Sequence, residues 1–200
     1  MIADRRLDGP ELPSVTSDFA SGVAAAVEHL LARGHRTIGM LDSSVGVAVD
    51  ERRTAFIDTL AARGLGGADT PIVEAPPTLA GGAAAISELF GTHPAVSAVF
   101  AFNDLMAFGA IQAAERLGRR VPAECAIVVF DDLAFAQFVH PRLTTVHTDK
   151  YAQGRTLVEV LTASPHEDSR QDARHDSRTP MDRAAPRIVL PATLVRRAST

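Results

Sequence analysis

Apolar residues recur along this chain at two alternating spacings, and the alternation predicts its elements. From Asp18 to about Arg33, the residues Val23, Ala26, Val27, Leu30 and Leu31 fall at helical spacing, with Asp18 placed to cap the helix. Gly34 follows, suited to the left-handed residue that ends many helices. The apolar run 36–41 predicts a short buried strand. A second helix is predicted over 49–63, carrying Phe56, Ile57 and Leu60 and stopping at Gly64. A weak strand at 71–75 runs into Pro76 and Pro77. A helix at 80–90, a strong strand at 95–102 and a helix from Asn103 to Leu117 come next, the last ending at Gly118. Residues 124–130 form the strongest strand, 143–147 a shorter one, and 149–162 the final helix.

Strands separated by helical stretches are the pattern of βαβ units. They predict an α/β chain built on a Rossmann-like, mostly parallel, doubly wound sheet. Such sheets bind ligands beyond the carboxyl ends of their strands, so the loops after Leu41, Phe102, Phe130 and His147 are the places to look. The segment 163–186 breaks the pattern. It holds Glu167, Asp168, Asp172, Asp176 and Asp182 against Arg170, Arg174, Arg178 and Arg183, with Met181 as its one large apolar residue. On a helix, like charges would stack at i,i+4, which disfavours the helix, so 163–186 is expected to be a charged mobile linker. Two short extended pieces, 187–190 and 193–196, follow it.

Composition narrows the class. With 200 residues, 46% of them hydrophobic, the chain can bury a core as one ordinary domain or two small lobes. A single cysteine excludes an internal disulfide and a cysteine-based zinc site. No apolar run approaches the roughly 18 residues of a membrane span. The N-terminal stretch lacks the apolar core of a secretory signal, so the expected location is cytoplasmic, with no membrane partner. A net charge of −4 shows no general nucleic-acid footprint.

No catalytic, cofactor or metal motif is present: there is no phosphate-binding glycine loop, no GxGxxG after a strand and no HExxH. The Gly64–Gly67 cluster follows a helix instead of opening one. Cys125 lies among strand residues and reads as a small core hydrophobe. What stands out is a set of polar residues at strand ends. Asp131 and Asp132 close the strongest strand, where a carboxylate can accept hydrogen bonds from ligand hydroxyls or amines; a turn role competes with that reading. Asn103 and Asp104 follow the strand ending in Phe102, where N-capping competes. Arg52 and Arg53 sit at the start of a helix, a poor place for a cation on dipole grounds. Asp4 closes the first apolar fragment.

Together these residues resemble the effector-binding half of the LacI/GalR family of bacterial transcriptional regulators. The resemblance rests on Asp4-Arg5, Pro13 to Thr16, Val27 to Leu31 with Gly34 to Ile38, Asn103 to Ala107 with Gly109-Ala110, Arg120 to Pro122, Phe130 to Asp132, Pro141 to Val146, Ile188 to Pro191 and Leu194 to Arg196. It covers about 1–162 and 186–197. It implies a periplasmic-binding-protein-like fold of two Rossmann-like subdomains, with a small polar effector, expected to be a carbohydrate, in the cleft between them. The C-terminal subdomain would be nearly complete in 16–148 and 187–197. Residues 1–15 and 149–162 would be parts of an N-terminal subdomain otherwise missing, which would leave Leu157, Val158, Val160 and Leu161 of the last helix short of a partner sheet.

Carried over position by position, the resemblance implies effector contacts from Asp4, Arg52, Asn103 and Asp131, with Phe130 and Thr148 lining the site. It implies a homodimer face drawn from Ala107, Phe108, Ile111 and Phe138, for which core packing is the competing reading. Operator DNA would be bound only through a helix-turn-helix that this sequence lacks. Ala55 and Val129 stand where the family commonly has glycine, and Thr148 near where it often has glutamine. A solute-binding protein of a transport system with the same fold is the alternative; a Rossmann-like enzyme would need a catalytic dyad or cofactor loop that the sequence does not contain.

Overall fold

The computed structural model describes residues 2–3, 12–43, 51–67, 70–163 and 186–200. The chain divides into two compact units, the first from Met1–Asp18 with Asp149–Pro191, the second from Phe19–Thr148 with Ala192–Thr200. The charged segment 164–185 and Asp4 lie outside the described residues.

The first unit carries a three-stranded parallel sheet in the order β1 (Ile2–Ala3), β2 (Ser14–Ser17), β8 (Arg187–Leu190). Helix α5 (Lys150–Ala163) packs against β2, its start capped by the Asp149 carboxylate, which accepts the Ala152 N–H at 2.8 Å. No residue of α5 is buried; of the four apolar residues expected to be short of a partner sheet, Val158 and Leu161 are exposed, and Leu157 and Val160 are half-buried. Residues 187–190 pair with β2, and beyond the pairing the carbonyl of Leu190 accepts the Asp18 N–H.

The second unit is the larger. Its six-stranded sheet runs β4 (Ile72–Glu74), β3 (Ile38–Asp42), β5 (Ala98–Ala101), β6 (Ala126–Asp131), β7 (Thr144–Thr148), β9 (Ala192–Val195), and only β9 is antiparallel. Both faces are covered. Met40, Phe100, Val128 and Phe130 face helices α1 (Phe19–Ala32) and α2 (Glu51–Ala61), while Leu41, Val99, Ala101, Ile127 and Val129 face α3 (Leu79–Thr92) and α4 (Asp104–Arg116). Strand side chains alternate between faces, so burying both faces demands the unbroken apolar runs seen in the sequence. Cys125 belongs to the core, and burial pushes its thiol up to about 12.

Helices α3 and α4 meet at unusually short range. A Cβ on Gly82 would sit 2.0 Å from the Met106 carbonyl oxygen, and one on Gly109 1.9 Å from that of Leu79. The two glycines therefore let the backbones touch reciprocally.

Periodicity found the helices and most strands to within a few residues. It missed β2, whose four residues include three small polar ones, and the 3-10 turn at Ala134–Gln137. Among the described residues, no helix is long and apolar enough to cross a membrane.

Candidate functional site

Parallel pairing brings the carboxyl ends of β5, β6 and β7 side by side: Ala101 is opposite Val129, and Asp131 opposite His147. The residues just beyond, Phe102-Asn103, Asp131-Asp132 and Thr148, thus share one edge of the sheet. Arg52, in the first turn of α2, reaches the same edge. Its Nη1 donates to the Phe102 carbonyl at 3.2 Å, and its guanidinium lies 3.6 Å from the Phe102 ring centroid. The rings of Phe19 and Phe130 stand at 5.2 and 5.4 Å, so the cation sits among three aromatic side chains.

Asn103 caps α4: its Oδ1 accepts the Met106 N–H at 2.9 Å, while its amide donates to the Pro77 carbonyl at 3.3 Å. Asp104, beside it, is fully buried. It accepts the Leu133 N–H at 2.5 Å through Oδ2 and the Thr145 hydroxyl at 3.3 Å through Oδ1. Thr145 Oγ1 in turn accepts the Asp132 N–H at 3.1 Å. Burial first, then the nearby Asp131 and Asp132 charges, push the Asp104 carboxyl up to about 7 against the opposing hydrogen bonds.

This network holds a strained turn. Asp131 and Asp132 adopt φ of 121° and 55°, values that side chains other than glycine rarely take and that surrounding structure must enforce. Asp132 adds two further ties. Its Oδ1 lies 2.7 Å from Arg197 Nη2 and its Oδ2 3.0 Å from His147 Nδ1. Arg197 is itself anchored, donating to the Leu143 carbonyl at 2.9 Å. The chemical capacity of this edge is hydrogen bonding: a cation, carboxylates and an amide set beside apolar rings. Among the described residues, no group of three or more His, Cys, Asp or Glu side chains could hold a metal ion.

Of the residues expected from sequence, Arg52, Asn103, Asp131 and Thr148 are brought to this edge. Phe130 is a correction: its ring has no exposed surface and packs on Phe19 at 5.4 Å between centroids, so it backs the site without presenting a face to it. Ala107 and Ile111 are corrections too. Both are buried in the core between α4 and the sheet, and a side chain with no surface left has none to offer a partner. Phe108 is half-buried and Phe138 is 77% exposed.

Sequence reasoning missed Asp42, buried at the end of β3, whose Oδ1 accepts the Ser43 N–H at 2.7 Å. Arg53 joins it to Glu74 at the end of β4, with Nη1 3.4 Å from Asp42 Oδ2. The signal was available, because Asp42 closes an apolar strand just as Asp131 does. Thr145 and Arg197 carried no local signal; their roles arise from contacts with residues far away in the chain.

The family description "periplasmic binding protein-like domain" matches residues 27–200. The chain is 32% identical over 161 residues to the HTH-type transcriptional regulator GalS of Salmonella typhimurium, covering 80% of this chain and 47% of that protein. It is 36% identical over 167 residues to the regulator MalR of Streptomyces coelicolor, covering 78% and 48%. The chain thus spans about half the length of the curated relatives it matches. Among solved structures, a complex of the transcriptional regulator CelR with cellobiose superposes with a TM-score of 0.83 at 28% identity, over 99% of this chain and 57% of that one. A LacI-family regulator from Arthrobacter sp. FB24 in complex with lactose gives 0.79 at 26%, over 99% and 69%. With this domain matched over most of its length and regulators of that kind as its named relatives, the chain belongs to the periplasmic binding protein-like domain family, in its LacI/GalR-type branch.

Proposed function

We propose that this chain is the effector-sensing and dimerisation part of a LacI/GalR-type transcriptional regulator. It takes a small, hydroxyl-rich effector, a carbohydrate, at the carboxyl edge of the second unit's sheet. The observation that carries this reading is the convergence of Arg52, Asn103 and Asp131 on the ends of neighbouring parallel strands, with Arg52 held against Phe102. Arg52 donates, Asp131 accepts, and the amide of Asn103 can do both, a combination matched to sugar hydroxyls, which are donors and acceptors at once. The cellobiose and lactose found with two regulators of this branch support the ligand class.

In this reading the chain is no enzyme and uses no cofactor. The effector shifts a conformational equilibrium, and operator DNA is bound through a helix-turn-helix outside this sequence, in the cytoplasm. The named relatives are regulators, which favours this role over solute transport. Dimerisation would use Phe138 with Phe108 and Leu105 on the outer side of α4. Titration with cellobiose, lactose and ribose, followed by protein-detected NMR, tests the effector site. Shifts confined to residues around Arg52, Asn103 and Asp131, abolished by Asp131→Ala and Arg52→Met, are expected. A sugar response unaffected by both substitutions would overturn the reading.

A further inference from the structure

Helices α1 and α2 pack side by side. Both start at the carboxyl edge of the larger sheet, where Phe19 meets Arg52, and both end at the opposite edge, just before β3 and β4 begin. Near those ends lies a cavity of about 420 Å³, lined by Glu28, Leu31, Ala32, Arg36, Arg63 and Leu65, all of the second unit. That volume lies within the range of sites for small organic ligands.

The lining combines two chemistries. Leu31 and Leu65 are half-buried and pack against the core, so they form a fixed apolar surface. Arg36 and Arg63 are exposed, and each is anchored through part of its guanidinium. Arg36 Nη1 donates to the Leu31 and His35 carbonyls at 2.9 and 2.8 Å, closing the end of α1. Arg63 donates Nε and Nη2 to the same oxygen of Glu28, at 2.8 and 2.7 Å. Among the described residues, Nε and Nη2 of Arg36 and Nη1 of Arg63 have no protein acceptor, which leaves both side chains with donors to offer. This end of the unit is also positive, although the whole chain carries −4. Burial first, then the charges of Arg196 and Arg33, hold the His29 imidazole below its ordinary value, and burial with Arg33 does the same at His35.

We propose that this cavity is a second ligand site, separate from the effector edge, and that it takes a small monocarboxylate carrying an apolar group. The carboxylate accepts the remaining N–H donors of Arg36 and Arg63, a pairing that suits the planar guanidinium. The apolar group covers Leu31, Ala32 and Leu65 and takes their surface out of water. Glu28 sets the charge of the ligand. Two guanidiniums against one carboxylate leave a single positive charge in the lining, which a monoanion balances and a dianion exceeds.

Protein-detected NMR on the whole chain, titrated with benzoate, benzamide and inorganic phosphate, tests the site. Benzoate is expected to shift residues 28–36 and 60–65, and to bind more weakly at high salt. Benzamide keeps the ring without the charge, and phosphate keeps the charge without the ring; each is expected to bind about tenfold more weakly or worse. Arg36→Met and Arg63→Met should each weaken benzoate by about tenfold. Arg63→Met leaves the bonds that close α1 in place, so it reports on the ligand contact even where Arg36→Met disturbs the helix end. No shift at this face up to about 20 mM benzoate would overturn the proposal. So would benzamide or phosphate binding as well as benzoate, or benzoate affinity unchanged in both variants. Benzoate shifts confined to the edge around Arg52 and Asp131 would overturn it as well, by assigning the anion to the other site.

Discussion

The buried carboxyl of Asp104 accepts the backbone N–H of Leu133 at 2.5 Å, tying the start of α4 to the turn that follows β6. That turn carries Asp131 and Asp132 at positive φ, so the aspartate expected to meet the effector owes its placement to a neighbour that no solvent reaches. Strain at such a position persists only where several contacts over-determine it, and Asp104, Thr145 and Arg197 supply them.

Protonation of Asp104 couples this turn to pH. Its folded value is raised from 3.8 to about 7, so between those limits the native state binds more protons than the unfolded chain. Stability attributable to this group is greatest at low pH, falls as pH rises through that window, and levels off above about 7. The slope is at most about 1.4 kcal/mol per pH unit. Urea unfolding from pH 4.5 to 8 should show this decline in the parent, and Asp104→Asn should remove it. Asp104→Leu, by contrast, strands the Leu133 N–H and the Thr145 hydroxyl, with a loss of about 1–3 kcal/mol for each. A parent whose stability rises from pH 5 to 7, with no change of slope in Asp104→Asn, would contradict the assignment.

The reciprocal glycine contact between α3 and α4 makes a sharp steric demand. Gly82→Ala and Gly109→Ala each drive a methyl into a backbone carbonyl that no rotamer change can move aside. Each is expected to cost about 1–3 kcal/mol or more despite the higher helix propensity of alanine. Gly91→Ala, with open space around its Cβ, is the control and should be neutral or stabilising. Melting temperatures of the three variants settle the point, and an unchanged Tm in Gly82→Ala would refute the close approach.

The Asp132–Arg197 pair joins the turn to the segment after β9. Both side chains are mostly buried, at 14% and 17% exposure, and the contact is 2.7 Å. A hydrogen bond to a charged group in such a setting contributes about 1.5–3 kcal/mol. Arg197→Met should lose that amount, and Asp132→Asn somewhat less, because its amide keeps an acceptor for Arg197. In a double-mutant cycle the coupling is expected to exceed about 1 kcal/mol; additivity of the two losses would show that the residues act separately.

Phe138, 77% exposed, is a large apolar side chain left in solvent beside the 3-10 turn. If it belongs to the proposed dimer face, Phe138→Glu shifts sedimentation toward the monomer at concentrations where the parent is dimeric. Ala107→Ser and Ile111→Val, placed in the core, should alter stability without altering the association constant. A dimer that survives Phe138→Glu would place the contact elsewhere.

Much of this architecture was legible in the chain. The apolar runs around Met40, Phe100 and Val128 announce strands covered on both faces, because side chains that alternate between two buried sides must all be apolar. Gly34, Gly64 and Gly118 mark helix ends, since each takes the positive φ that glycine tolerates best. Asn103 could be read as a cap and as a site residue together, and the structure gives it the capping bonds while leaving it at the strand end. The strand at Ser14–Ser17 escaped because its side chains are mostly small and polar, and it exists by pairing with Arg187–Leu190, remote in sequence.

By itself, then, the sequence determined the order of helices and strands and the edge at which Asn103 and Asp131 lie, because local periodicity and strand-end chemistry are properties of neighbouring residues; Arg52 was joined to them only by the family resemblance. Only the tertiary structure decided that Phe130, Ala107 and Ile111 lie inside, that Phe102 grips Arg52, and that Asp104, Thr145 and Arg197 hold the Asp131–Asp132 turn. Those outcomes depend on which distant segments the sheet brings together, and burial and pairing across such distances leave no mark in the spacing of residues along the chain.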